Sequence, residues 1–173
     1  MGGKIAVVTG AGRGLGRSMA LHLSRRGVGV VGTFRSENDD GFKSAAAEIE
    51  ANGGRVAMLR LDVSLAADFP RFAAELSETL KKTFGRSDFD YLVNNAGNSA
   101  FAPVIQTSEE EFDFLIGVQF KGTLFLTQAL LPMIADGRVG QPDDIGAAVA
   151  SILSDDFGWV NGARIDISGG QGL

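Results

Sequence analysis

The stretch Thr9-Gly10-Ala11-Gly12-Arg13-Gly14-Leu15-Gly16 follows the apolar run Ile5-Ala6-Val7-Val8 and opens into a helical pattern at Arg17. Strand, glycine turn and helix therefore succeed one another without a gap. A backbone that must bend sharply and let a phosphate come close needs glycine, which has no Cβ to obstruct either. The first turn of the helix then offers N–H groups, and the positive end of its dipole, to negative charge. A pyrophosphate fits that arrangement, and with it a dinucleotide. The compact form of such turns is G-x-G-x-x-G, whereas the glycines here fall as Thr9-Gly10-x-x-x-Gly14-x-Gly16.

Outward from the turn, the strand–helix alternation repeats. Leu15, Met19, Leu21 and Leu23 supply the apolar positions of the first helix, and Arg25-Arg26-Gly27 ends it with cations and a glycine stop. Val28–Phe34 reads as a second buried strand. A helix over roughly 40–51 closes at Asn52-Gly53-Gly54, and the strand Val56–Leu61 leads into Asp62-Val63. Asp62-Val63-Ser64 also reads as a cap for the next helix, 66–83, whose Phe69, Phe72, Leu76 and Leu80 fall at core spacing. Phe89–Val93 is the fourth strand, followed by Asn94-Asn95-Ala96-Gly97. Ser108 with three glutamates opens a long helix to about 135, with Phe112, Leu115, Ile116, Phe120, Leu124, Leu131 and Ile134 along it. Alternation of this kind predicts an α/β fold, a doubly wound parallel sheet in a single domain.

Composition narrows the function classes. With 173 residues, 45% of them hydrophobic and 21% charged, one domain with a sizeable core is expected. A net charge of −5 with scattered basic residues argues against a nucleic-acid partner. The chain has no cysteine, which removes disulfides and thiolate metal sites, and its one histidine, His22, falls inside the first helix. No run reaches ~18 uninterrupted apolar residues, and Met1-Gly2-Gly3-Lys4 leads directly into a strand. The expectation is a cytoplasmic protein with no membrane partner and no bound metal.

The wide glycine spacing resembles the opening of the short-chain dehydrogenases/reductases, whose fingerprint T-G-x-x-x-G-x-G is matched at every fixed position by Thr9, Gly10, Gly14 and Gly16. Asp62-Val63 and Asn94-Asn95-Ala96-Gly97 follow in that family's order. The resemblance implies a Rossmann-type fold that holds a nicotinamide dinucleotide through Thr9, Gly10, Arg13, Gly14, Leu15, Gly16, Arg35, Ser36, Asp62, Val63, Asn94, Ala96 and Gly97. At the end of the second strand an acid takes the ribose 2′-hydroxyl and an arginine accommodates a 2′-phosphate. Arg35 stands there, and Arg13 occupies a position where the family's basic residue favours NADP, so NADP(H) is expected over NAD(H). The competing reading leaves both arginines solvated and gives the ribose to Glu37. In Gly117-Val118-Gln119-Phe120-Lys121-Gly122, Gln119 replaces the family's functional asparagine, with either a water-holding or a packing role.

Beyond the long helix the resemblance is interrupted. The family continues with a strand ending in a catalytic serine, a helix carrying Tyr-x-x-x-Lys and a sixth strand. Here Pro132–Gly137 runs straight into Arg138–Gly146, which resembles the segment before the family's last helix, and Val160–Gly170 matches its closing strand. At 30 or more residues per strand–helix–strand unit, the missing segment is on the order of 70 residues. Tyr91 is the only tyrosine, Asn95 rather than lysine lies four residues on, and no lysine follows Lys121. Carbonyl reduction needs a hydroxyl acid activated by an ammonium, with a second hydroxyl on the carbonyl oxygen. Ser99 alone does not replace that set.

The organisation expected is a nucleotide-binding part, 1–137, and a C-terminal helix and closing strand, 138–173, without the family's fifth and sixth strands. Three functions are consistent with it. The chain is an NADP(H)-binding protein of oxidoreductase lineage without a catalytic set. Alternatively, it is an NADPH-dependent carbonyl reductase of the 3-oxoacyl type whose sequence omits an internal segment, taking a small-molecule carbonyl substrate. The third reading is a non-catalytic interaction protein, pairing with itself as a homo-oligomer or with an intact homologue through helix 109–135 and an uncovered edge strand.

Overall fold

Four β-branched or small apolar residues, Ile5–Val8, form the central strand β1, and every one of them is buried. The computed structural model describes residues 3–36, 40–99, 103–134 and 150–151. The chain divides into two compact units, Met1–Ala135 and Asp136–Leu173, and the elements that follow belong to the first. Glu37, the 136–149 segment and the expected closing strand at 163–168 lie outside the described residues.

After β1 come α1 (Gly14–Arg25), β2 (Gly29–Phe34), α2 (Gly41–Ala51), β3 (Val56–Arg60), α3 (Phe69–Phe84) and β4 (Tyr91–Val93). The four strands form one parallel sheet in the order β3-β2-β1-β4, as strand–helix alternation requires. Opposite β1, Val7 faces Val31 in β2 and Leu92 in β4. Beside the start of β4, Phe89 makes a single parallel bridge to Ile134.

Alternate side chains of β1 feed two cores, one on each face of the sheet. Ile5 and Val7 meet Phe69, Phe72, Leu76, Leu80 and Phe84 of α3. Ala6 and Val8 meet Ala20 and Leu21 of α1 and Ile49 of α2. The α3 residues recur at intervals of three and four, so its whole apolar stripe is buried, and burying each such Leu or Phe contributes about 1.5–3 kcal/mol. Gly85 ends α3 with a left-handed φ of 79°, a conformation that glycine adopts without strain.

The long helix predicted from 108 onward starts where expected but is not regular. It consists of α4 (Glu109–Ile116), a π-helical turn over Gly117–Gly122, and α5 (Thr123–Leu130). Gly122 lies at a close approach: a Cβ there would run into the carbonyl oxygen of Val63, so the turn brings helix backbone directly against the end of the Asp62-Val63 segment. Val118, Leu126 and Leu130 are buried, whereas Phe112, Phe120, Leu124 and Leu131 are more than half exposed. Glu109–Met133 is long and apolar enough to cross a membrane by length and composition. Lys121 is the one charged residue between Asp113 and Met133, and α5 packs Leu126 and Leu130 into the α3 core.

Candidate functional site

The carboxyl ends of parallel strands are where such sheets open, and here they are organised by Thr9. Its hydroxyl accepts from the N–H groups of Asn95 and Ala96, both at 2.9 Å, and donates to the Val93 carbonyl at 3.3 Å. The Asn95 amide donates in turn to the carbonyls of Thr9, at 2.8 Å, and Gly10, at 3.4 Å. The glycine turn and the Asn-Asn-Ala-Gly turn are thus tied into one unit. Thr33 fastens the turn to β2: its hydroxyl accepts from the Gly10 N–H at 3.2 Å and its carbonyl from the Ala11 N–H at 2.9 Å.

Within that unit the glycines serve two needs. Gly10 has φ 68° and Gly14 φ 54°, the left-handed region. Gly16 has no such angle, but a Cβ on it would collide with the Gly10 carbonyl and the Asn95 amide. The helix that follows begins bare. Arg13 precedes α1 in an extended conformation, no side chain caps the first N–H groups, and no acid occupies the first turn. An N-terminus in that state attracts an anion.

A cavity of about 680 Å³ opens over these groups. Gly10, Arg13, Gly14, Leu15, Gly16, Arg35, Ser36, Asp62, Val63, Ala96 and Gly97 line it, as do Gly12, Thr33, Phe34, Leu61, Asn95, Asn98 and Val118. Thr9 and Asn94, expected to bind, do not line it: Thr9 is buried behind its wall, and the exposed Asn94 donates to the Thr127 hydroxyl of α5 at 3.1 Å. Gln119 is held by a hydrogen bond from its amide to the Asn98 carbonyl at 2.5 Å, and only its neighbour Val118 reaches the cavity. Asp62 turns its own chain, accepting from the Ser64 N–H at 2.9 Å and hydroxyl at 2.7 Å. It caps no helix directly, because α3 begins at Phe69 after a short 3₁₀ turn.

The charged side chains that line the cavity among the described residues are Arg13, Arg35 and Asp62, and both arginines are exposed. Among the described residues, neither the Arg13 nor the Arg35 side chain has an ion-pair partner, while Arg17 and Arg25 of α1 share Glu48 at 2.6 and 3.3 Å. The chain's one tyrosine, Tyr91, lies outside the cavity at the amino end of β4, its ring 6.0 Å from the Lys4 ammonium. Among the described residues no group of acids and histidine is placed to hold a metal ion.

The glycines and charges of this site stand in local sequence patterns, whereas Asn95, Thr33 and Asn98 join it only in the fold. A polar Thr33 inside an otherwise apolar strand was the one available signal. For Asn95 and Asn98 the role lies in bonds to distant backbone, which no local pattern announces.

The match to known proteins agrees with this geometry. Residues 4–142 fit the short chain dehydrogenase family model. An uncharacterized oxidoreductase of Methylorubrum extorquens is 34% identical over 170 residues, which cover 96% of this chain and 65% of the relative. Tetrahydroxynaphthalene reductase of Pyricularia oryzae is 34% identical over 126 residues, 73% of this chain and 42% of that one. Among solved structures, the angucycline C-6 ketoreductase LanV with bound NADP superposes with a TM-score of 0.73 at 34% identity, covering 78% of this chain and 52% of LanV. The chain spans between 42% and 65% of the length of these curated relatives. It belongs to the short-chain dehydrogenase family.

Proposed function

We propose that this member of the short-chain dehydrogenases binds NADP(H), and does so without a catalytic set of its own. The observation that carries the reading is the meeting, in one cavity, of an uncapped helix N-terminus with two arginines that have no ion-pair partner among the described residues. The Gly10–Gly16 turn fits a pyrophosphate through its left-handed glycines and the open first N–H groups of α1, and a Cβ at Gly16 would push the turn apart from the Gly10 carbonyl and the Asn95 amide. Arg13 and Arg35 would hold the 2′-phosphate, Asp62 and Val63 the adenine, and Ala96 and Gly97 the nucleotide backbone. The LanV structure, with NADP bound to the same fold, supports that choice of cofactor. When bound, the nicotinamide supplies hydride to a carbonyl carbon or takes it from an alcohol.

The chain's own residues do the binding and orienting, and the proton chemistry is missing. Neither a tyrosine nor a lysine is available in the Tyr-x-x-x-Lys relation, and Ser99 offers a lone hydroxyl. On this reading 1–137 is the nucleotide-binding part, 138–173 its C-terminal helix and closing strand, and the protein is cytoplasmic.

Fluorescence titration of the purified chain with NADPH and NADH, with a reactive diketone added to the same cuvette, tests the reading. Saturable NADPH binding, weaker NADH binding and no oxidation are expected. Arg35→Ala should lower NADPH affinity about tenfold or more, the scale of one charge-assisted hydrogen bond, and leave NADH unchanged. Absence of binding would overturn the reading. Turnover would overturn the absence of a catalytic set. A second reading, an active NADPH-dependent carbonyl reductase whose sequence omits an internal segment, draws on the partial coverage of the relatives and is tested by the intact mass of the protein.

A further inference from the structure

The rings of Phe34 and Phe42 lie face to face, 3.8 Å between centroids and 6° from parallel. Phe34 is the last residue of β2 and lines the cavity next to Arg35; Phe42 sits in the first turn of α2 and does not line it. The stack therefore joins the end of β2, next to Arg35 and Ser36 at the cavity border, to the first turn of α2. Other contacts hold the same corner. A Cβ on Gly12 would come within 3.1 Å of the Phe42 backbone nitrogen, so the glycine turn leans directly on the start of α2. The Arg35 carbonyl accepts from Arg60 Nε at 3.3 Å, and the Phe34 carbonyl from the Leu61 N–H at 2.8 Å. The Lys43 ammonium lies 5.7 Å from the Phe42 ring centroid and pairs with Asp40 at 2.8 Å.

Arginine is a long, rotamer-rich side chain, and holding an exposed one in place for a phosphate costs entropy that a fixed backbone reduces. Stacked aromatic rings are rigid and contribute beyond their buried area. We infer that Phe42, through its stack on Phe34, is a positioning residue for cofactor choice. It fixes the backbone from which Arg35 reaches the 2′-phosphate, and so favours NADPH over NADH while touching neither. This rests on the NADP(H) reading of the cavity and adds the residue that makes the arginine selective.

The test is a double-mutant cycle of Phe42→Ala and Arg35→Ala, read as NADPH and NADH dissociation constants alongside thermal melting. Phe42→Ala should weaken NADPH about fivefold, the scale of one aromatic pair, with NADH changed less than twofold. In the Arg35→Ala background the same substitution should have no further effect on NADPH. Phe42→Tyr, which keeps the ring, should bind as the unmodified chain does, and Phe42→Leu takes the place of alanine in the cycle if that variant does not fold. Equal losses for both cofactors, or a loss that persists without Arg35, would show a general structural role and overturn the inference. If the unmodified chain binds neither nucleotide, the NADP(H) reading itself fails and the inference falls with it.

Discussion

At the amino ends of β1 and β4, Asp90 accepts from the Lys4 ammonium at 2.7 Å, the Ile5 N–H at 2.9 Å and the Arg86 guanidinium at 3.0 Å, and Asp88 takes the rest of Arg86. At the carboxyl ends of the same strands, Arg13 and Arg35 have no ion-pair partner among the described residues, and the helix beside them starts uncapped. At the first end Lys4, Arg86, Asp88 and Asp90 answer one another's charges; at the other, positive groups face a cavity. Burying a charge without a partner is costly, so the first end is built to hold the fold. The second keeps its arginines solvated and its N–H groups open, which is the arrangement a ligand completes.

The largest break in this contrast comes from closing the open end. Gly16→Val places a branched side chain where even a Cβ meets the Gly10 carbonyl and the Asn95 amide. NADPH binding should fall below detection in calorimetry, with a lower melting temperature because the turn must shift. Persisting binding would show that the cavity is not where the dinucleotide sits.

The sealed end should fail differently. Burial pushes the Asp90 carboxyl upward, but the hydrogen bonds from Lys4 and Ile5 and the charge of Arg86 outweigh it, so its pKa lies below the ordinary carboxylate value. Folding therefore favours the ionised form. The contribution is present above an ordinary carboxylate pKa of about 4 and is lost as pH falls through the lower folded value. Asp90→Asn should cost about 2 kcal/mol in urea unfolding at neutral pH and flatten the fall in stability below about pH 4. NADPH affinity should be untouched. An unchanged acid limb would show that Asp90 is not the group the sheet depends on.

The open end was legible in the sequence because its chemistry is local. Glycines at fixed spacing, an arginine after β2 and Asp62-Val63 after β3 can each be read from neighbours along the chain, and strand–helix alternation gives the parallel sheet. What was not legible joins distant segments. Nothing near Thr9 announces that its hydroxyl gathers two N–H groups from residues 95 and 96, which places it behind the cavity wall instead of in it. Asn94 and Asn95 are identical side chains facing different elements, one toward α5 and one under the glycine turn. The π turn at Gly117–Gly122 brings Gly122 against the backbone of Val63, a contact between residues far apart in sequence.

Two helix starts sharpen the contrast at finer scale, since α4 is capped as fully as α1 is bare. Ser108 accepts from the Glu111 N–H at 3.2 Å, Glu111 accepts from the Ser108 N–H at 3.1 Å, and Glu109, Glu110 and Glu111 line the first turn of α4. Giving α1 the same acid, by Leu15→Glu at a side chain 73% exposed, should leave the fold as stable as before while weakening NADPH about tenfold, since the new carboxylate occupies the field meant for phosphate. The smallest effect is the reverse. Ser108→Ala should cost about 1 kcal/mol of stability, measured by urea unfolding, and leave the NADPH dissociation constant unchanged. If it weakened the cofactor, the α4 start would belong to the site. If Leu15→Glu did not, the bare end of α1 would be a helix start and nothing more.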